Sequence, residues 1–305
     1  MNEDNDMAHP LTPYYGGKSR TYGKTIAQKI ELIPHTIYVD GFFGAGGVFM
    51  QKRLSKIEVA NDLHDGVVNL LRVVRNAVQC KYLLEQLELT PYSRSEWRYC
   101  QENWQAETEP VEKARMVYTV LSQNFVGETN GGSWSFGGVK CGYNVARTHF
   151  NSLENIKLVA QRLQNVSVEC QDVFTVLKRW GEAGQKAVFY LDPPYLPATR
   201  SGHAQKTYLH EFSVEQHEKL LDWCVGSKSA VLLSGYNHAM YNDALPGWTR
   251  YDHAAVASSM LQSSGNGQKN RPTDKSKRIE CLWLNPLAQS YQASSLFDYA
   301  GLLGQ

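Results

Sequence analysis

The sequence predicts an α/β fold: a mostly parallel sheet with helices on both faces and a helical insertion part-way along. Two observations carry this. Short apolar runs of strand length alternate with segments whose apolar residues recur at three and four residues, the period of a helix burying one face. Strands separated by helices pair in parallel, because each crossover helix returns the chain to the same edge of the sheet. The third observation is where that alternation fails, from about Cys80 to Phe150.

Ile37 to Asp40 (I-Y-V-D) and Ile57 to Asn61 (I-E-V-A-N) read as the first strands, and Val67, Leu70, Leu71 and Val74 mark the helix after them. Then come Tyr82 to Leu89, Ser93 to Trp104 and Val111 to Leu121, all with helical patterning; Ser93 with Glu96 offers a capping box to the second. The Gly-rich stretch Asn130 to Gly138 (N-G-G-S-W-S-F-G-G) follows and reads as a hairpin-like loop. Alternation resumes with a helix at Leu153, Ile156, Ala160 and Leu163, then strands at Val166 to Cys170 and Ala187 to Leu191. A helix at Val214, His217, Leu221 and Cys224 precedes strands at Ser229 to Leu233 and Ile279 to Leu284. Residues 1–78 and 151–305 therefore form one domain in two parts, with 79–150 inserted between them.

The chain has 305 residues, 42% hydrophobic and 20% charged, the composition of a soluble globular protein. No run approaches the roughly 20 apolar residues of a membrane span, and the polar, acidic start does not resemble a signal peptide. Six cysteines lie singly with no C-x-x-C pair, so reduced thiols in a cytoplasmic protein are expected, with disulfides left open. That scatter also argues against a metal site, since zinc ligands usually come in close pairs. Net charge is +1, which does not announce a nucleic-acid binder. Lys269 to Arg278, however, carries Lys269, Arg271, Lys275, Lys277 and Arg278 against Asp274, inside a Gly/Ser/Asn-rich stretch. This is either a phosphate-contacting loop or a merely solvated one.

The strongest chemical signal is Asp192-Pro193-Pro194-Tyr195, directly after the apolar strand Ala187 to Leu191. Ligands of open α/β sheets bind beyond the carboxyl ends of the strands, where this tetrapeptide falls. Two prolines stiffen the turn and remove two N–H donors. A carboxylate, a carbonyl and an aromatic ring held together can grip a planar amino-heterocycle; the plain alternative is a strand-ending turn.

Asp40-Gly41-Phe42-Phe43-Gly44-Ala45-Gly46-Gly47 follows the first strand. Its glycines let backbone approach a ligand, but the spacing is not G-x-G-x-x-G and no Walker lysine follows. Asn61-Asp62 closes the next strand about 20 residues on, where an acid can take the hydroxyls of a ribose. Asp172 follows the strand at Val166 and could accept from an adenine amine. Either aspartate could instead cap a helix. Near the N-terminus, Tyr14-Tyr15-Gly16-Gly17-Lys18 is either a polar entry loop or a turn offering N–H groups and an ammonium to a carboxylate.

Together these segments resemble the Dam-type (D12 class) DNA adenine-N6 methyltransferases, from Pro13 to about Pro286. Tyr15-Gly16-Gly17-Lys18 is similar to that family's N-terminal motif, Phe43-Gly44-Ala45-Gly46 to its cofactor loop and Asn61-Asp62 to its ribose-binding acid. Asp172 is similar to its cofactor-adenine acid and Asp192 to Tyr195 to its catalytic motif. Phe212-Ser213 with His217 and Leu220, Leu232 to Tyr236, and Ser263 to Lys269 followed by Glu280-Cys281-Leu282 resemble the segments that close the domain.

The resemblance implies a Rossmann-like S-adenosylmethionine-dependent sheet with an inserted, mainly helical target-recognition domain. It implies S-adenosylmethionine as cofactor, held by Tyr15, Gly17, Lys18, Asp40, Phe43 to Gly46, Asp62 and Asp172, and S-adenosylhomocysteine as product. Methyl transfer to N6 of adenine by direct displacement would fall to Asp192, Pro193, Pro194 and Tyr195, on a flipped-out base or single-stranded DNA. Candidate DNA contacts are Asn124, Trp134, Phe136, Lys140, Arg147, Arg200, Lys269, Arg271 and Lys277. The reading implies a cytoplasmic setting and no membrane, and it admits a cognate restriction enzyme as a partner. N4 of cytosine and RNA are the near alternatives. A catalytically silent binding module is the alternative of another class, against which the intact Asp192 counts. Thr129 to Lys140 is shorter and more glycine-rich than the recognition hairpin of better-known members, which predicts a relaxed or very short target site.

Overall fold

Residue alternation along the strands decides which helices cover which face of the sheet. The computed structural model describes residues 8–14, 17–18, 20–125, 127–136, 144–199, 208–256 and 277–292. Within them lie β1 (Ile37–Asp40), β2 (Ile57–Asn61), β3 (Val166–Glu169), β4 (Ala187–Leu191), β5 (Ala230–Tyr236), β6 (Thr249–Val256) and β7 (Lys277–Leu284). They form one sheet in the order β3-β2-β1-β4-β5-β7-β6. All neighbours are parallel except that β7 runs antiparallel to both β5 and β6.

On one face Tyr38, Ala60, Val188, Tyr190, Leu232 and Leu282 share a core with α1 (Arg20–Glu31), α2 (Asp65–Arg75) and α7 (Asn155–Arg162). On the other, Val39, Val59, Phe189, Leu191, Val231, Leu233 and Trp283 pack on α8 (Val173–Gly181), α9 (Val214–Gly226) and α10 (Ala239–Ala244). Successive strand residues alternate between these clusters, as a period of two requires.

The insertion contributes α3 (Ala77–Leu89), α4 (Arg94–Asn103), α5 (Pro110–Gln123) and α6 (Val145–Ser152). Leu83, Leu87, Trp104, Val117 and Val120 belong to the same buried cluster as Val67, Leu70 and Leu71 of α2. These helices therefore extend the layer on the first face instead of enclosing a core of their own. Ser93 caps α4 by accepting from the Glu96 amide at 3.3 Å, but only half of the expected box forms. The Glu96 carboxylate goes to Arg115 at 2.7 Å, a charge-assisted bond that outcompetes a return to the Ser93 amide.

Four helices, α1, α6, α8 and α10, and one strand, β6, were not read from the sequence. In α1 the apolar positions Tyr22, Ile26 and Ile30 are separated by Lys24, Thr25, Gln28 and Lys29, which dilute the stripe. In β6, Arg250 and Asp252 pair with each other on an edge strand, and that polar alternation hides the strand. The expected strands at Val166, Ser229 and Ile279 are present with ends shifted by one to three residues.

Candidate active site

The parallel strands deliver their carboxyl ends to one edge, and the turns leaving β1, β2, β3 and β4 line a single cleft. Gly17, Lys18, Asp40, Phe43, Gly44, Ala45, Asp62, Asp172 and Asp192 to Tyr195 all border it. Tyr15, Lys140, Arg200, Lys269 and Arg271 lie outside the described residues. Lys277 opens β7, and Gly46 belongs to the glycine turn without bordering the cleft.

The turn after β1 is built for close approach. Gly44 and Gly46 take φ of 53° and 72°, which side chains resist, and a Cβ on Gly44 would stand 3.2 Å from the Tyr14 ring. Asp62 organises this turn: one oxygen accepts from the Gly44 amide at 2.6 Å and the other from the His64 amide at 2.9 Å. Asp172 caps α8 by accepting from the Phe174 amide at 2.9 Å, while its exposed carboxylate still borders the cleft. The capping reading thus holds for Asp172 but not for Asp62: α2 is capped by His64, whose ring nitrogen accepts from the Val67 amide at 3.2 Å, and Asp62 braces the turns on either side of the cleft edge. Each carboxylate keeps further lone pairs.

Asp40 differs. It is buried, its Oδ2 accepts from the Tyr38 hydroxyl at 3.3 Å, and its Oδ1 is without a partner among the described residues. Burial, with the Asp192 charge adding to it, pushes its carboxyl up to about 8. His64, beside it in the cleft wall, is buried between Thr129 (2.8 Å) and the Trp104 ring (centroids 5.1 Å apart), which ties this edge to the insertion.

At the end of β4 a different arrangement prevails. The Lys18 ammonium donates to Asp192 Oδ1 and Oδ2 at 2.7 and 2.6 Å and to the Tyr195 hydroxyl at 2.5 Å. It also pairs with Glu280 at 2.8 Å, and the Tyr195 hydroxyl donates to that same carboxylate at 2.5 Å. Side-chain exposure is 2% for Lys18 and 16% for Asp192. Burial opposes the Lys18 charge, but the Asp192 and Glu280 carboxylates outweigh it and hold the ammonium above its ordinary pKa. Burial raises the Asp192 carboxyl, with Lys18 pulling the other way, and we read the pair as ionic. The Tyr195 ring meets Tyr236 edge-on at 4.4 Å.

Lys18, expected to face a ligand carboxylate, thus pairs with the protein carboxylates of Asp192 and Glu280. Glu280 carried no role in the sequence reading. The signal was a lone acid on the strand face that otherwise carries Leu282 and Leu284 into the core.

The DNA-contact candidates divide. Asn124 is buried, and its amide donates to the Glu128 and Gly131 carbonyls at 3.0 and 2.8 Å, shaping the loop from within. An isolated antiparallel bridge joins it to Trp134, whose indole N–H donates to Gln123 at 3.1 Å beneath the Arg94 guanidinium. Phe136 is 66% exposed, and Arg147 is exposed in the first turn of α6.

A cleft at the carboxyl ends of a mostly parallel sheet, with an acid-aromatic turn beside a glycine loop and two further acids at strand ends, lies where open α/β sheets bind their ligands. A family model for the D12 class N6 adenine-specific DNA methyltransferases matches residues 14–255, and the chain belongs to that family. It is an enzyme that methylates N6 of adenine in DNA. The DNA adenine methylase of Salmonella typhi is 25% identical over 250 residues, spanning 78% of this chain and 84% of that protein. The DNA adenine methylase of Salmonella typhimurium strain LT2 matches at the same identity and coverage. No helix among the described residues is long and apolar enough to cross a membrane.

Proposed function

We propose that S-adenosylmethionine is the methyl donor, bound between the turns after β1, β2 and β3, and that adenine docks on the turn after β4. The observation that carries this is the division of one cleft into a half lined by Asp40, Asp62 and Asp172, none of them in an ion pair among the described residues, and an Asp192–Tyr195 half held by Lys18. The donor set fits the cofactor. Asp40 offers a buried, unpartnered oxygen to a cationic group, Asp62 has lone pairs for ribose hydroxyls, and the Gly44 turn leaves room for close backbone approach. When bound, the cofactor supplies an electrophilic methyl group.

The chain's own residues then do the rest. The lone pair of the adenine amine is delocalised into its ring, so the amine is a weak nucleophile. Asp192 and the Pro193 carbonyl accept from the amine and draw N6 towards tetrahedral geometry, which favours the transition state over the ground state. Lys18 holds the Asp192 carboxylate in place and charged, while lone pairs remain for the amine. Tyr195 presents a ring edge or face to the base. The turns fix donor and acceptor in line for displacement, so orientation supplies much of the rate. N6 is unreachable inside a duplex, so the base is flipped out or arrives single-stranded.

The inserted segment 79–150 is assigned to DNA recognition in the cytoplasm. With Asn124 and Trp134 engaged inside their loop, Phe136 is the residue placed to enter the base stack, and phosphate contacts set affinity. A relaxed or very short target site follows. The test is to incubate the protein with labelled S-adenosylmethionine and unmethylated DNA, then identify the product by mass spectrometry. N6-methyladenine at many sequence contexts is expected. N4-methylcytosine, or labelling of RNA alone, would overturn the substrate assignment, and a sharp consensus of four or more positions would overturn the relaxed site.

A further inference from the structure

We propose that Glu280 is a positioning residue for methyl transfer, fixing Lys18 and the Tyr195 hydroxyl against Asp192. The inference rests on the reading of Asp192 to Tyr195 as the methyl-transfer turn.

Topology puts the acid there. Because β7 runs antiparallel to β5, its beginning meets the edge where the other strands end, and Glu280 stands in register with Tyr236, the last residue of β5. Tyr236 packs edge-on against the Tyr195 ring, so the strand carrying Glu280 is two steps from the catalytic turn. On this face of β7 the following alternate residues, Leu282 and Leu284, are buried in the core, and an acid here carries a desolvation cost that only good partners offset. Its side chain is 12% exposed.

The bonds it makes are directional. Tyr195 donates its hydroxyl proton to Glu280 and accepts from Lys18, which fixes both the hydroxyl and the plane of the ring. Lys18 has three N–H bonds and meets four acceptors: two Asp192 oxygens, the Tyr195 hydroxyl and a Glu280 oxygen. An ammonium divided in this way cannot saturate Asp192. Glu280 draws it back, and the carboxylate stays oriented with lone pairs available to an incoming amine. Without Glu280 the ammonium would settle wholly on Asp192 and the hydroxyl would turn.

The test is single-turnover methyl transfer at saturating cofactor and DNA, with binding of each measured separately by calorimetry and by DNA titration. Glu280→Gln should slow transfer roughly 10–100-fold while both dissociation constants stay within about twofold. Tyr195→Phe, which keeps every charge, should show a smaller loss of the same kind. The pair Glu280→Gln with Lys18→Met should lose less than the product of the two single losses, because part of the effect of Glu280 passes through the ammonium and the rest through the Tyr195 hydroxyl. A wild-type rate in Glu280→Gln, or losses that multiply in the double variant, would overturn the proposal. So would a loss carried wholly by cofactor or DNA affinity. If Glu280→Gln fails to fold, Tyr195→Phe at the full wild-type rate overturns it instead. A wild-type chain that transfers no methyl group to adenine sinks the underlying reading, an outcome distinct from an active chain indifferent to Glu280.

Discussion

The cleft has two halves that treat carboxylates in opposite ways. After β1, β2 and β3, Asp40, Asp62 and Asp172 bind backbone amides, a tyrosine hydroxyl or nothing, and none forms an ion pair among the described residues. After β4, Asp192 is locked to Lys18, which Glu280 also holds. Uncompensated acids await a partner that brings positive charge; a compensated acid awaits a neutral one. The proposed cationic donor and the uncharged amine of adenine fit those halves respectively, and a low-dielectric cleft makes the distinction energetically large.

The largest expected effect breaks the second half alone. Asp192→Ala should lower the methyl-transfer rate by about 10²–10³-fold or more, the range for losing a preorganised group at the reacting centre, with cofactor affinity largely intact. Calorimetry showing cofactor affinity collapsing in step with the rate would erase the division. Asp62→Ala strikes the first half, and cofactor binding should weaken by roughly 1.5–3 kcal/mol, the range for hydrogen bonds to a charged group. Part of that loss passes through the Gly44 and His64 amides it releases. Unchanged affinity would reduce Asp62 to a backbone brace.

A pH series sharpens the comparison further. Asp40, raised to about 8, is mostly neutral at pH 6 and gains charge as pH climbs towards that value. Binding of a cationic donor should therefore strengthen with rising pH, by up to about tenfold per unit below pH 8. Asp40→Asn should flatten this slope; a slope that persists in the variant assigns the titration to another group. The smallest effect concerns Tyr195. A stacking ring alone would make Tyr195→Trp far more active than Tyr195→Ala, but the buried hydroxyl bonds add a requirement that Trp cannot meet. Methyl-transfer rates should therefore rank Tyr195→Phe above Tyr195→Trp, with Tyr195→Ala lowest, and a Trp variant matching wild type would show that the hydroxyl does nothing.

The sequence was informative wherever function requires contiguous residues. The turns at Asp40 to Gly47, Asn61-Asp62, Asp172 and Asp192 to Tyr195 follow apolar strands, and strand ends are where a parallel sheet binds ligands. What it hid depends on chain crossings. Lys18 and Asp192 are 174 residues apart, and Tyr195 and Glu280 are 85 apart. No local pattern reports that an antiparallel strand will return an acid to the edge that carries Asp192. Asn124 and Trp134 show a related limit: a polar or aromatic residue in a glycine-rich loop can also serve the loop itself, and only the bonds to Gly131 and Gln123 reveal it.

The shared core of α2 with α3, α4 and α5 has a consequence for building chimeras. Exchanging residues 79–150 with a relative would expose Val67, Leu70 and Leu71 to foreign packing, so such hybrids should fail as proteins before they can report on sequence choice. The loop from 124 to 136 is different: its base is stitched by the bridge between Asn124 and Trp134 and by amide bonds from Phe125 to Ser133 and from Ser135 to Gln123. It is also moored to the scaffold, by Thr129 to His64, by the Gly131 carbonyl to Gln101 and by the Ser135 carbonyl to Tyr92. A graft should therefore keep Thr129 and the backbone path at Gly131 and Ser135, and vary the side chains between these moorings.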